Sequence, residues 1–119
     1  VVDDEAPVAL VAKRTLERCG FEVLIAKDGL EAMELFRSHG QRVRCVLLDL
    51  IMPRMDGLET LRELRRLRSD TPVILSSGYS EEEVSSKFAQ DKVEGLVEKP
   101  FRIEALIRKV QEVLKEGPG

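Results

Sequence analysis

Cys45-Val46-Leu47-Leu48-Asp49 is an apolar run closed by a single acid. No polar residue alternates within it. That is the pattern of a strand buried on both faces, and such strands build parallel sheets covered by helices. Four other runs share the pattern: Val1–Val2, Val23–Ala26, Val73–Leu75 and Leu96–Val97. Between and after them, apolar residues recur at helical spacing. Val8, Val11, Ala12, Leu16 and Cys19 share one face of the first such segment. Ala32, Met33 and Phe36 do so in the second, and Leu58, Leu61 and Leu64 in the third. Val84 and Phe88 mark the fourth, and Ile103, Leu106, Ile107, Val110 and Leu114 the fifth.

The punctuation agrees with this reading. Asp28 with Glu31, and Ser80 with Glu83, have the spacing of capping boxes at helix starts. Gly20 and Gly40 stand where the first two helices should stop, since glycine accepts the left-handed conformation of many helix ends. The chain thus reads as a strand and a helix repeated five times. Right-handed crossovers then put helices on both faces of one parallel sheet. One folded unit is expected over residues 1–116, with Gly117-Pro118-Gly119 as a linker or disordered tail. Val1 already lies in an apolar run, so the chain reads as a fragment that begins inside its first strand.

Composition narrows the class. The chain has 119 residues, 43% hydrophobic and 34% charged, with a net charge of −3. This suits one soluble domain and gives no general attraction to nucleic acid or anionic membrane. No apolar run approaches the ~20 residues of a membrane span. Cys19 and Cys45 are far apart and lack metal-ligand spacing, so they read as reduced thiols. His39, the only histidine, reads as a surface residue at a helix end.

In open parallel sheets, ligands gather outside the carboxyl ends of the strands. Asp3, Asp4 and Glu5 follow the first run, Asp49 the third, Ser76 and Ser77 the fourth, and Lys99 the fifth. Three carboxylates from Asp3, Asp4 and Asp49 brought together would repel, so a proton or a cation must join them. Mg²⁺ fits, because it is hard and prefers oxygen ligands. One divalent ion and Lys99 would neutralise the three acids and leave room for a phosphoryl dianion.

These residues also carry a signature. Val-Val-Asp-Asp-Glu at 1–5, Leu-Leu-Asp-Leu-Ile-Met-Pro-Arg-Met-Asp-Gly at 47–57, Ser-Ser-Gly at 76–78 and Glu-Lys-Pro-Phe at 98–101 resemble the bacterial response-regulator receiver domain. The resemblance spans nearly the whole chain. It implies an α/β fold of flavodoxin-like shape, a three-layer (βα)5 doubly wound parallel sheet with strand order 2-1-3-4-5. It implies that Asp49 accepts a phosphoryl group from a phosphohistidine in a Mg²⁺-dependent reaction, with Mn²⁺ as a possible substitute. Asp4, Asp49 and the backbone carbonyl of Ile51 would hold the metal, and Asp3 would act through water. Ser77 would be the switch hydroxyl. Lys99 would pair with the acid and then with the phosphoryl oxygens, and the Lys99–Pro100 bond would be cis.

The implied partner is a histidine kinase or a histidine phosphotransfer domain. The face of the fourth helix, fifth strand and fifth helix would serve a homodimer or an effector. No nucleic-acid or membrane contact is implied for this domain, and the location would be cytoplasmic. Activity would be that of a switch with at most weak autophosphatase action, in either a stand-alone regulator or a hybrid sensor kinase that could itself be membrane-anchored. Leu96 stands where the family usually places an aromatic switch residue, so no aromatic flip coupled to Ser77 is expected. Ile51 and Tyr79, two residues beyond Asp49 and Ser77, are bulky and are expected to slow hydrolysis of the phosphorylated state.

Plainer readings stand beside these. Asp3 and Asp4 suit a helix cap, Asp56-Gly57 a turn and helix start, and Ser77 a turn cap. Arg62, Arg65, Arg66 and Arg68 read as a solvated helix face with Glu59 and Glu63 nearby, and Phe101 as packing beneath the site. Three other functions compete. A phosphatase with an aspartyl nucleophile would want an acid where Ile51 stands. A flavin-binding module would want a phosphate loop where Asp3-Asp4-Glu5 stands. A degenerate docking domain would not need the full set of acids, hydroxyl and lysine.

Overall fold

A computed structural model describes residues 1–50, 56–87 and 93–116. Helix α1 spans Ala6–Arg18, α2 Gly29–His39, α3 Gly57–Leu67, α4 Glu81–Lys87 and α5 Ile103–Glu116. Strand β1 spans Val46–Asp49, β2 Val73–Ser77 and β3 Gly95–Glu98. The three strands are parallel in the order β1-β2-β3.

Five strands were expected and three form a continuous ladder. The other two runs make single parallel bridges, Val2 to Ala26 and Val2 to Leu48. Their hydrogen bonds have the slanted alternation of a parallel pair. Val2 N–H donates to the Leu47 carbonyl at 2.8 Å, and Asp49 N–H donates to the Val2 carbonyl at 2.9 Å. Asp3 N–H donates to the Ala26 carbonyl at 3.0 Å on the other side. The spatial sequence Ala26, Val2, β1, β2, β3 still realises the expected order 2-1-3-4-5. The second run is the outer edge, and of its residues only Ala26 is buried.

Side chains alternate between two cores, which makes the structure three-layered. Leu48 and Leu75 face α2 and α3 through Met33, Phe36, Leu61 and Leu64. Leu47, Ile74 and Val97 face α1 and α5 through Ala12, Leu16, Leu106 and Val110. The burial of α1 is turned relative to the expected face. Ala9, Ala12, Thr15 and Leu16 are buried, while Val11 and Cys19 are exposed. Small alanines let this helix approach its neighbours closely. Ile103, expected on the inner face of α5, is likewise exposed. Phe88, expected on the inner face of α4, lies outside the described residues, as does the tail 117–119.

The caps follow the sequence with one shift. Asp28 accepts the Glu31 N–H at 2.9 Å, but the Glu31 carboxylate reaches the Lys27 N–H, one residue before the cap. Ser80 and Glu83 exchange both bonds of a capping box. Gly20 has φ +95°, the left-handed stop expected of it. Gly40 does not: its φ is −53°, and the chain continues into a short 3₁₀ turn, Gly40–Arg42. Gly40 is instead packed beside Phe36 and Arg68.

Arg65 also departs from its expected solvated position. Its guanidinium pairs with Glu94 at 2.8 Å, both side chains being largely covered, and donates to the Thr71 carbonyl. Glu94 in turn accepts the Val73 N–H at 2.7 Å. This pair ties α3 to the approach of β2 and β3. Arg66 with Glu63 is the exposed helical pair that the spacing suggests. Arg68 lies beyond the last residue of α3, as its C-cap.

Candidate functional site

Asp49 is the last residue of β1 and is 5% exposed. The backbone beyond it is fixed from two sides. Leu50 N–H donates to the Ser76 carbonyl at 3.2 Å, and Gly57 N–H donates to the Leu50 carbonyl at 3.0 Å. A Cβ on Gly57 would stand 2.5 Å from Leu50 Cα and 2.7 Å from the Asp49 carbonyl oxygen. Only glycine lets α3 start against this turn. Asp56 caps α3 by accepting the Glu59 N–H at 2.9 Å, so Asp56-Gly57 is a helix start, as read.

Asp3 follows the short first run and is 4% exposed. Its Oδ1 accepts the Glu5 N–H at 2.9 Å, a local bond that fixes the carboxylate. Asp4 is exposed. One oxygen from each of Asp3, Asp4 and Asp49 lies within 4.8 Å of the others. Neither acid is the N-cap residue of α1; that is Glu5, whose own side chain makes no cap bond.

Lys99 reaches this cluster from just beyond β3. Its N–H donates to the Ser77 carbonyl at 2.6 Å, and the Lys99–Pro100 bond is cis. Its Nζ lies 2.9 Å from Asp3 Oδ2, 3.3 Å from Asp49 Oδ2 and 3.3 Å from Glu5 Oε1. Burial works against its charge, but the hydrogen bond with Asp3 and the charges of Asp49 and Asp3 outweigh this. The Lys99 pKa is therefore raised above the usual lysine value. Phe101 packs half-buried against the core between the sheet and α1/α5.

Ser77 ends β2 and is buried. Its Oγ accepts the Tyr79 N–H at 2.9 Å, the turn-capping role that the plainer reading gave it. Asp49 is in register with Ser76, so Ser77 stands one residue further toward the rim. Tyr79 packs, partly buried, against the core on the α2/α3 side, and so does Leu96. Ile51, read as a metal ligand through its carbonyl and as a bulky flank, lies outside the described residues.

The fold thus brings Asp3, Asp4, Asp49 and Lys99 together and sets Ser77 at the end of the adjoining strand. Sequence reasoning missed two contributors. Glu5 stands among the polar residues but outside the charge count, and it adds a third carboxylate to those that meet the Lys99 ammonium. Gly57 reads as a turn and helix start, but its close packing against Leu50 and Asp49 is not visible in the sequence. Its signal is the Asp56-Gly57 pair itself, which closes the motif that begins at Leu47. Three converging carboxylates form a hard oxygen donor set, which fits Mg²⁺ rather than a soft metal.

Comparison with known proteins gives the family and the fold. The family model of the response regulator receiver domain matches residues 1–111. The chain is 36% identical over 116 residues to the sensor kinase CckA of Brucella abortus, covering 98% of this chain and 12% of that protein. It is 34% identical over 125 residues to the response regulator MprA of a Mycobacterium species, covering 99% of this chain and 53% of MprA. It therefore spans at most about half the length of these relatives. The chemotaxis protein CheY4 of Vibrio cholerae superposes with a TM-score of 0.88 at 29% identity, over 95% of this chain and 94% of that one.

Proposed function

Since the chain belongs to the response regulator receiver domain family, we propose that Asp49 is its phosphoacceptor. Receiver domains of two-component systems work with histidine kinases or phosphotransfer partners, and the family generally uses Mg²⁺. The observation that carries the assignment is the ammonium of Lys99 held between Asp3 and Asp49, beside a third carboxylate. An acid that is covered, paired with a cation and set at a strand end is a positioned nucleophile.

An oxygen of Asp49 attacks the phosphorus of a partner's phosphohistidine in line. The P–N bond breaks, its electron pair stays on the imidazole, and an acyl phosphate forms on Asp49. Lys99 follows the transferred group and pairs with its oxygens. Asp4 and Asp49 would hold Mg²⁺ directly and Asp3 through water, and the ion supplies positive charge against the phosphoryl oxygens. The hydroxyl of Ser77 then turns from its Tyr79 contact to the new oxygens. That change biases the region from β2 to α4 and β3 between two arrangements. Leu96 offers no aromatic ring to couple to this movement. The face of α4, β3 and α5 is the surface such a change would present to an effector or a second copy. The bulk of Tyr79, two residues beyond Ser77, slows attack of water on the acyl phosphate.

Incubation with a small phosphodonor tests this reading. A gain of one phosphoryl mass is expected with Mg²⁺, and none without it or in Asp49→Asn. Turnover of phosphomonoester substrates would instead favour a phosphatase. We further read the parent as a hybrid sensor kinase located at or in the cytoplasm, a reading supported by the likeness to CckA. Among the described residues no helix is long and apolar enough to cross a membrane. A parent gene encoding a DNA-binding output domain after this segment would overturn the hybrid-kinase reading.

A further inference from the structure

Glu5 holds an unusual place. It is the N-cap residue of α1, where Asp, Asn, Ser or Thr would normally bond the first turn, yet its side chain makes no cap bond. The carboxylate reaches out instead to Lys99 Nζ, at 3.3 Å, while staying 60% exposed. The ammonium has three protons and three carboxylate neighbours, Asp3, Asp49 and Glu5, at hydrogen-bonding or ion-pair distance. Asp3 and Glu5 take hydrogen bonds from the ammonium and Asp49 holds it by charge, so an arriving phosphoryl group must compete for its protons.

We propose that Glu5 is a positioning residue, a displaceable counter-ion that occupies one Lys99 proton in the unphosphorylated domain and yields it to a phosphoryl oxygen. This rests on the reading of Asp49 as phosphoacceptor. The three carboxylates differ in what release would cost them. Asp3 is buried, and its other oxygen is tied to the Glu5 N–H, so freeing it would strand a covered charge. Asp49 carries the new group and keeps Lys99 near by that means. Glu5 alone is mostly in water and regains full hydration when released. Its charge also remains favourable at the N-terminus of α1 after it lets go. The exchange moves one hydrogen bond, N–H to carboxylate becoming N–H to phosphoryl oxygen, and no covalent bond or proton changes hands at Glu5.

Competition of this kind slows phosphorylation by about the strength of one exposed ion pair. Removing it should speed the reaction by roughly two- to fivefold. The test compares the unsubstituted chain with Glu5→Gln and Glu5→Asp. Glu5→Gln removes the charge at constant length. Glu5→Asp keeps the charge but is one methylene shorter and draws back from Lys99. Each protein is phosphorylated with saturating phosphoramidate and Mg²⁺, and label on Asp49 is followed by mass spectrometry, with urea midpoints measured alongside. Both variants are expected to label faster than the unsubstituted chain; the midpoint should hold in Glu5→Gln and hold or rise in Glu5→Asp, whose shorter carboxylate can cap α1. Acceleration in Glu5→Gln alone would mean that rim charge repels the reaction without any specific pairing, and would overturn the proposal. No acceleration in either variant would overturn it as well, while leaving Asp49 as acceptor intact. Absence of label on Asp49 in the unsubstituted chain would overturn the acceptor reading and this proposal together.

Discussion

Lys99 Nζ stands 3.3 Å from Asp49 Oδ2, and the two residues come from strand ends separated by β2. The same ammonium neutralises Asp3, which is almost wholly covered. Lys99→Ala is therefore expected to cost about 3 kcal/mol of stability near neutral pH, because it strands buried carboxylates. Lys99→Met, which keeps an apolar stem and removes the charge, should lose nearly as much. Urea unfolding of both variants checks this. A much smaller loss in Lys99→Met would show that packing, not charge, is what Lys99 supplies.

Mg²⁺ should stabilise the folded chain in a concentration-dependent way, by about 2.7 kcal/mol at a hundredfold excess over the dissociation constant. Asp4 is the exposed member of the cluster, so Asp4→Asn should leave the fold intact. It is expected to melt at or above the temperature of the unsubstituted chain without Mg²⁺, through relief of repulsion. The Mg²⁺-dependent rise should be lost. Thermal scans with and without the ion measure both effects.

Gly57→Ala places a methyl group against Leu50 Cα and the Asp49 carbonyl. The backbone itself must move, so a cost of about 2 kcal/mol or more is expected, even though alanine favours helix. Phosphorylation of Asp49 should slow in the same variant. A denaturation midpoint equal to that of the unsubstituted chain would show that the turn can relax freely.

Stability should fall at alkaline pH. Burial pushes the Cys45 thiol up from 9.0 to about 11, and Lys99 is also held above its usual value. Groups whose pKa is raised on folding stabilise the fold below the unfolded value and lose that contribution as pH climbs through the folded one. The urea midpoint is therefore expected to decline between about pH 9 and pH 11. Cys45→Ala should show a shallower decline over that window. An identical slope in the variant would remove Cys45 from the account.

The strand ends were legible because each apolar run closes abruptly on a polar residue, and the sheet order then brings Asp3, Asp49 and Lys99 to one rim. Periodicity could not fix the rotation of α1. Its inner face is set by small residues, Ala9 and Ala12, so Val11 turns outward. Arg65 was misread for a related reason: its partner Glu94 is distant in sequence, and a charge run carries no sign of long-range pairing. Gly40 reads like a helix stop from its residue type, but packing against Phe36 keeps it in helical conformation. Glu5 reads only as a third acid at the first strand end, because spacing alone does not say that a long side chain at a helix start will turn back toward the fifth run.

The identity of the reactive acid can be read directly. An acyl phosphate is reduced by borohydride to the alcohol, so a phosphorylated aspartate is recovered as homoserine. The chain would be phosphorylated by a phosphohistidine-bearing partner domain with Mg²⁺, reduced, digested and mapped by mass spectrometry. Homoserine at position 49, and only when the ion is present, is the predicted result. Homoserine at Asp3 or Asp4, or an unmodified Asp49 in a chain that has taken up phosphate, would contradict it.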